Sequence, residues 1–548
     1  MPKTKSLYLV FNFLFCIIYS FSQTTIKEDD YLVTYKKNSI ELKFDFPANV
    51  KAYNQNDLQE MSVVPQFNQT TFLIKNVKPA QIIKLAYRFI SSRTTSENTS
   101  YLASPSTSSG TINVYFNHPV DITFTQTQNG VNLGSNLDDM LISYINACTN
   151  TLDIAIYNSY SPSGTTGIAG AINAAFSRGV QVRLIYDGST SSVMIPLLNP
   201  SIPILASPSS SSYGIMHNKF VIFDANSTDV NKPLVWTGST NWTVSQIDGP
   251  DKNSAIVIQD QALALGYKIE FEEMWGSSTL VPDTVASKFG PYKTNNTPHN
   301  YSIGGKIVNS YFSPSDGANA KIIDAINTAN TDIDIATMLI TRSDISSALI
   351  NKFNSGLTNL NMVLDSQNPS GNQLSVLQTG INNSRIVTYT ASGIMHHKFM
   401  VIDNFNNASD PQVLVGSHNW STSAETKNDE NILIVHDANI TNQYYQAFSY
   451  LFQQAGGILN TNEYQFSSDN LVVYPNPTNG LLHFYDNEKN QINKVNVKIM
   501  DVLGNIILEQ QFDNLTNKSI DLSSQSSGIY ILEVKTNGDC KNIKVVKS

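Results

Sequence analysis

One segment of this chain occurs twice, and each copy leads into the same second motif. Gly214-Ile-Met-His217-Asn-Lys219-Phe220 runs on to Asp224, and Gly393-Ile-Met-His396-His-Lys398-Phe399 runs on to Asp403. Each is followed by a Gly-Ser-x-Asn-Trp: Gly238, Ser239, Asn241 and Trp242, then Gly416, Ser417, Asn419 and Trp420. The histidines stand 179 positions apart, from 217 to 396, and the Gly-Ser motifs 178, from 238 to 416. So constant an offset requires a duplicated domain, because a period this long is not a solenoid unit. Two matching sets of His, Lys, Ser and Asn can build one two-fold site.

The elements around the motifs repeat as well. Leu152-Asp-Ile-Ala-Ile156 matches Ile333-Asp-Ile-Ala-Thr337, and Val182 to Asp187 matches Leu360 to Asp365. Helix-like stretches precede these strands at 137–147 and 320–329 and follow them at 168–178 and 345–354. Helices alternating with short apolar strands predict an α/β sheet layered with helices, in halves spanning 130–285 and 305–460. Residues 24–116 alternate polar and apolar in short runs, including Tyr31 to Tyr35 and Ile112 to Phe116. That patterning predicts a small fibronectin-like β domain. From about 470 to 548 the pattern is all-β again, punctuated by Tyr474-Pro-Asn-Pro477 and Asn479-Gly480.

Of the 548 residues, 35 are basic and 44 acidic, a formal charge of −9. There is thus no global basic footprint for nucleic acid, although a local positive cleft stays open. Lys3 and Lys5 precede a mostly apolar run from Leu7 to Tyr19, then small Ser20 and Ser22. Residues 1–22 therefore read as a signal peptide, too short and interrupted for a membrane span. Cys16 would leave with it. Cys148 and Cys540 remain, in what read as different domains, so no disulfide framework is expected.

Side chains alternate along a strand, which puts His217 with Lys219, and His396 with Lys398, on one face. Asp224 and Asp403 fall on the opposite parity or just past the strand, where a supporting role fits better than direct reaction. The set meets the demands of phosphodiester cleavage. Lys219, Lys398, Ser239, Ser417, Asn241 and Asn419 can donate to the phosphate oxygens. One neutral imidazole can attack phosphorus, and the other can protonate the leaving oxygen. A metal centre fits poorly, because each lysine would repel a cation placed at its histidine. No cofactor is expected. Trp242 and Trp420 read as core, Asp187 and Asp365 as loop anchors, and His436 as structural. His397 reads as local variation, and His418 is left open between that and substrate contact.

The paired His-x-Lys-x₄-Asp elements, each with a downstream Gly-Ser-x-Asn, resemble the phospholipase D superfamily over roughly 130–460. The resemblance implies a duplicated α-β-α sandwich core and a metal-independent phosphodiesterase that works through a phosphohistidine. It implies catalytic sets His217, Lys219, Asp224 and His396, Lys398, Asp403, with His217 the nucleophile and His396 the acid. It also implies a Glu after the second motif that orients a catalytic histidine. Glu430 fills that place, whereas the first half has Asn253 there. The tail, with Tyr474-Pro-Asn-Pro477, Gly480, Gly504 and Gly528-Ile-Tyr530, resembles the C-terminal sorting domain of type IX secretion. That implies dealings with the type IX machinery and a secreted or cell-surface location. The expectation is a monomeric phosphodiesterase acting on phospholipid, with a secreted endonuclease or a non-catalytic adhesin as alternatives.

Overall fold

The computed structural model describes residues 25–548 apart from 29, 91–95, 160–166, 368, 460–470, 487–494, 503, 514–517 and 536–539. The expected signal peptide and Cys16 lie outside the described residues. The chain divides after Gly457 into two compact units. Among the described residues, no helix is long and apolar enough to cross a membrane.

The first unit opens with a β-sandwich over residues 25–103. One antiparallel sheet orders its strands Thr25–Lys27, Tyr31–Lys36, Ser39–Phe44, Thr71–Lys75 and Val63–Gln66. The other pairs Ile82–Phe89 with Ala48–Asn54 and Asn98–Ala103. Period-two alternation explains the packing: Tyr31, Val33 and Tyr35 turn inward with Ile40, Leu42 and Phe44, and their neighbours stay wetter. One boundary needs correction. Ile112–Phe116 does not belong to this sandwich, because it pairs with Ser254–Ile258 in the sheet of the first half. Its alternation fits either sheet, so the pattern could not assign it.

Each half then builds an eight-stranded mixed sheet of the same order. In the first half the central strands run Ser254–Ile258, Leu234–Gly238, Lys219–Phe223, Thr151–Ile156 and Gln181–Tyr186. In the second they run Glu430–His436, Gln412–Gly416, Lys398–Ile402, Asp332–Thr337 and Asn359–Asp365. Lys219–Phe223 and Lys398–Ile402 are buried along their whole length, as continuous apolar runs between two layers should be. Helices Leu137–Ala147 and Ile168–Ser177 cover one face of the first sheet, and Ala318–Thr328 and Ser343–Asn354 the corresponding face of the second. The long helices Gln261–Trp275 and Ala438–Gln454 start at Asp260 and Asp437. Each carboxylate accepts the backbone N–H three residues on, at 2.9 Å, which caps a free helix end. Trp242 and Trp420 are buried in the two apolar cores.

The second unit holds two antiparallel sheets. One orders Leu471–Tyr474, Leu481–Asp486 and Ser519–Asp521; the other orders Ile506–Phe512, Val495–Asp501, Gly528–Lys535 and Cys540–Lys547. Val495, Val497, Ile499, Leu532 and Val534 alternate inward to form its core.

Candidate active site at the pseudo-dyad

The two histidine segments are stitched to opposite halves. His217 N–H donates to Asp429 O and Asp429 N–H to Ile215 O, at 2.9 and 3.0 Å. The mirror contacts are His396 N–H to Lys252 O and Lys252 N–H to Ile394 O, at 2.9 and 2.8 Å. Gly214 and Gly393, at φ +72° and +84°, allow this approach. A Cβ on Gly214 would stand 2.8 Å from Lys427 C, and one on Gly393 2.2 Å from Pro250 O, so any side chain would push the halves apart. Asp187 and Asp365 anchor the same segments, accepting from Met216 N–H at 2.7 Å and Met395 N–H at 2.6 Å.

This crossing gives the two imidazoles different partners. His217 Nδ1–H donates to Glu430 Oε2 at 2.7 Å, although the two residues are 213 positions apart. His396 Nδ1–H donates to Asn253 Oδ1 at 3.0 Å. In each case Nε2 is left for chemistry. The sequence identified Glu430 as an orienting residue but gave no sign of which histidine it serves. It also passed over Asn253 as a contact.

Both rings are largely buried, at 5% and 6% exposure. Lys219 and Lys398 are buried too, each with Nζ on the carbonyl of its own histidine at 2.6 and 2.7 Å. Four potential cations in so dry a space disfavour one another's charge. Burial pushes His217 down to about 4, against the pull of the Glu430 carboxylate. Burial, Lys398, Lys219 and His217 together hold His396 well below its ordinary value. Lys219 is likewise driven well down by burial, and Lys398 falls to about 7. Burial alone would raise Glu430, but His217 and Lys219 hold it below its ordinary value. Burial and mutual repulsion thus disfavour the charged forms of all four groups, and an anion in the cleft would favour them.

A pH dependence follows. Lys398 loses its proton in the free protein as pH rises through about 7, whereas an anion favours the ammonium. Affinity for sulfate, a tetrahedral anion of constant charge in this range, is therefore expected to fall from pH 6 to 9, by at most about tenfold per unit per proton taken up. Calorimetry in buffers of different ionisation enthalpy should register the proton uptake; pH-independent binding would contradict the assignment.

Two sequence expectations change. Ser239 and Ser417 do not offer free hydroxyls to a phosphate. Ser239 donates to Asn253 Oδ1 at 3.0 Å and Ser417 to Glu430 Oε2 at 2.8 Å, and both are fully buried. They hold the partners of the histidines. Asp224 and Asp403, which the resemblance placed in the catalytic sets, stand outside the cleft, as their parity along the strands implies. They follow the far ends of their strands, five residues from the lysines, so about 16 Å away at the rise of a strand. Asp224 accepts from the backbone of Thr149, Asn150 and Thr151, and Asp403 from that of Asn330 and Thr331. Asn241 and Asn419 keep Oδ1 buried with no partner among the described residues. His418 is buried, with its Nε2 3.8 Å from Glu425. His436 sits away from the cleft, on Asp410 and Asn309.

A family described as cardiolipin synthase, PLD-like domain, matches residues 141–275 and again 322–452. The duplicated core belongs to the phospholipase D-like family. The secretion system C-terminal sorting domain matches residues 472–548. The mitochondrial cardiolipin hydrolase of Xenopus tropicalis is 30% identical over 149 residues, covering 26% of this chain and 62% of that protein. The phospholipase D of Rickettsia prowazekii (strain Madrid E) is 27% identical over 188 residues, covering 34% of this chain and 84% of that one. Among solved structures, the phospholipase D family member Nuc from Salmonella typhimurium is 28% identical, covers 27% of this chain and 94% of its own, and gives a TM-score of 0.24. The matched stretches span 62%, 57% and 56% of the cardiolipin hydrolases of X. tropicalis, Drosophila melanogaster and Chlamydomonas reinhardtii, less than two thirds of each.

Proposed function

We propose that this chain is a secreted phosphodiesterase that hydrolyses the head-group phosphodiester of phospholipids. His217 is the nucleophile and His396 the acid and then the base. The unequal partners of the two imidazoles carry this reading. A carboxylate on Nδ1–H makes Nε2 of His217 electron-rich, whereas the neutral amide of Asn253 stabilises an imidazolium less and leaves His396 the better acid. In the first step the Nε2 lone pair of His217 forms the N–P bond while the P–O bond to the head group breaks. The proton on His396 Nε2 goes to the departing oxygen. In the second step His396 takes a proton from water, the water oxygen attacks phosphorus, and the N–P bond breaks. Lys219, Lys398 and the amides of Asn241 and Asn419 would hold the phosphate oxygens. The substrate class is supported by the relatives named phospholipase D and cardiolipin hydrolase, and by the tilted Tyr213–Tyr292 pair beside the Gly214 segment, with centroids 5.1 Å apart. The sorting domain supports export.

The deciding experiment offers the full chain phosphatidylcholine vesicles and supercoiled plasmid side by side, with EDTA present. Choline release without nicking is expected. Nicking without choline release would make the protein a nuclease, whose activity should also fall steeply with salt. Loss of activity on chelation would defeat the metal-free mechanism, and inertness towards both would favour the adhesin.

A further inference from the structure

The strand Ile112–Phe116, which the sequence pattern places in the sandwich, is followed by Asn117 and His118, and both reach the His396 side of the site. Asn117 Oδ1 accepts from Asn253 N–H at 2.8 Å, so it fixes the residue that receives His396 Nδ1–H. His118 Nε2 lies 2.7 Å from Nε2 of His397, the neighbour of His396 in the chain. Both rings are buried, at 1% and 0% exposure. The proton between them can be placed. His118 Nδ1 is 2.8 Å from Pro119 O, which can only accept, so His118 donates there. Its Nε2 is then the acceptor, and His397 donates through Nε2–H. His397 Nδ1 is accordingly a bare lone pair, with no partner among the described residues. Tyr450 stacks on His118 at 6.1 Å and Phe399 packs edge-on to His397 at 5.0 Å, so neither ring is free to turn.

The pseudo-dyad shows that this bond serves one histidine only. The register pairs Phe116 with Ser254 and Phe312 with Asn431, so Pro314 takes the place of His118. Asn218 takes the place of His397, and both its side-chain polar atoms are unpartnered among the described residues. The His217 side therefore has a carboxylate and no imidazole pair. The His396 side has an amide backed by a second, neutral imidazole bond.

We infer that His118 is a positioning residue for His396, holding the acid through its hydrogen bond to His397, so that it supports protonation of the leaving group and not attack on phosphorus. This rests on the function proposed above. Bis(p-nitrophenyl) phosphate expels a stable anion and needs little help from an acid; dioctanoylphosphatidylcholine expels an alkoxide and needs it fully. His118→Phe keeps the stacking on Tyr450 and removes the acceptor. His118→Gln restores an acceptor.

In the full chain, His118→Phe is expected to lower kcat on the choline ester by about ten- to a hundredfold, the scale of a misplaced catalytic group. KM should hold, the nitrophenyl ester should lose less than about twofold, and His118→Gln should recover most of the loss. Equal losses on both esters, or none, would overturn the inference. If the wild type cleaves neither ester, the proposed function fails, and the inference is judged by NMR of the ¹⁵N-histidine-labelled chain. His397 should then be protonated at Nε2, and the His396 signals should move in His118→Phe. Unmoved His396 signals would overturn it.

Discussion

His217→Ala and His396→Ala are each expected to lower turnover of a phosphodiester by at least about 10⁴-fold, because the two rings act as one unit and losses within such a unit are not additive. The informative difference lies in what each variant still does. His396→Ala retains the imidazole held by Glu430 at 2.7 Å. Offered bis(p-nitrophenyl) phosphate, it should release about one equivalent of nitrophenol and then stop, because the base that activates water is missing. The adduct should be acid-labile, add the mass of one nitrophenyl phosphoryl group, and map to His217. His217→Ala should show neither burst nor adduct. An adduct on His396 in His217→Ala would exchange the two roles. Full turnover in either variant would show that the halves do not share a site.

The parts of this arrangement that the sequence exposes are those that lie within a few residues of one another. His217 and Lys219 share a face because a strand has a period of two, and the same parity removes Asp224 and Asp403 from it. The contacts that set the chemistry cross between distant segments. Glu430 reaches His217 and Asn253 reaches His396 because the Met216 and Met395 segments bridge to the opposite half, and no local pattern encodes an exchange between halves. The hydroxyls of Ser239 and Ser417 looked available because the sequence does not show that Asn253 and Glu430 already hold them. His118 was hidden for another reason: Ile112–Phe116 alternates like the sandwich strands before it, so its pairing with Ser254–Ile258 is a tertiary fact.

Lys293 shows the same limit in the linker between the halves, and carries the largest expected effect on stability. Its ammonium is wholly buried, bonded to Glu270 of the helix Gln261–Trp275 and 3.4 Å from Asp429 of the second half. Asp429 also accepts from Gly290 N–H at 2.7 Å, and its carbonyl holds the His217 backbone. One linker side chain thus stands between carboxyl groups of both halves, next to the backbone of His217. Burial raises Glu270 to about 8 and Asp429 to about 6 even with the lysine present. Lys293→Met leaves both carboxyls without a counter-charge, and removal of one member of such a buried set costs about 3–5 kcal/mol. The sign of the pH dependence follows. A carboxyl whose folded pKa is raised contributes stability that is complete below its unfolded value and is lost as pH rises through the folded one. The variant should therefore come close to the wild type near pH 5, where both groups can stay protonated, and fall furthest below it at pH 8 and above. Denaturant unfolding of wild type and variant at the two pH values measures this, and Glu270→Gln added to Lys293→Met should recover part of the loss at pH 8. A deficit that is the same at both pH values would mean that the lysine acts by packing and not by charge.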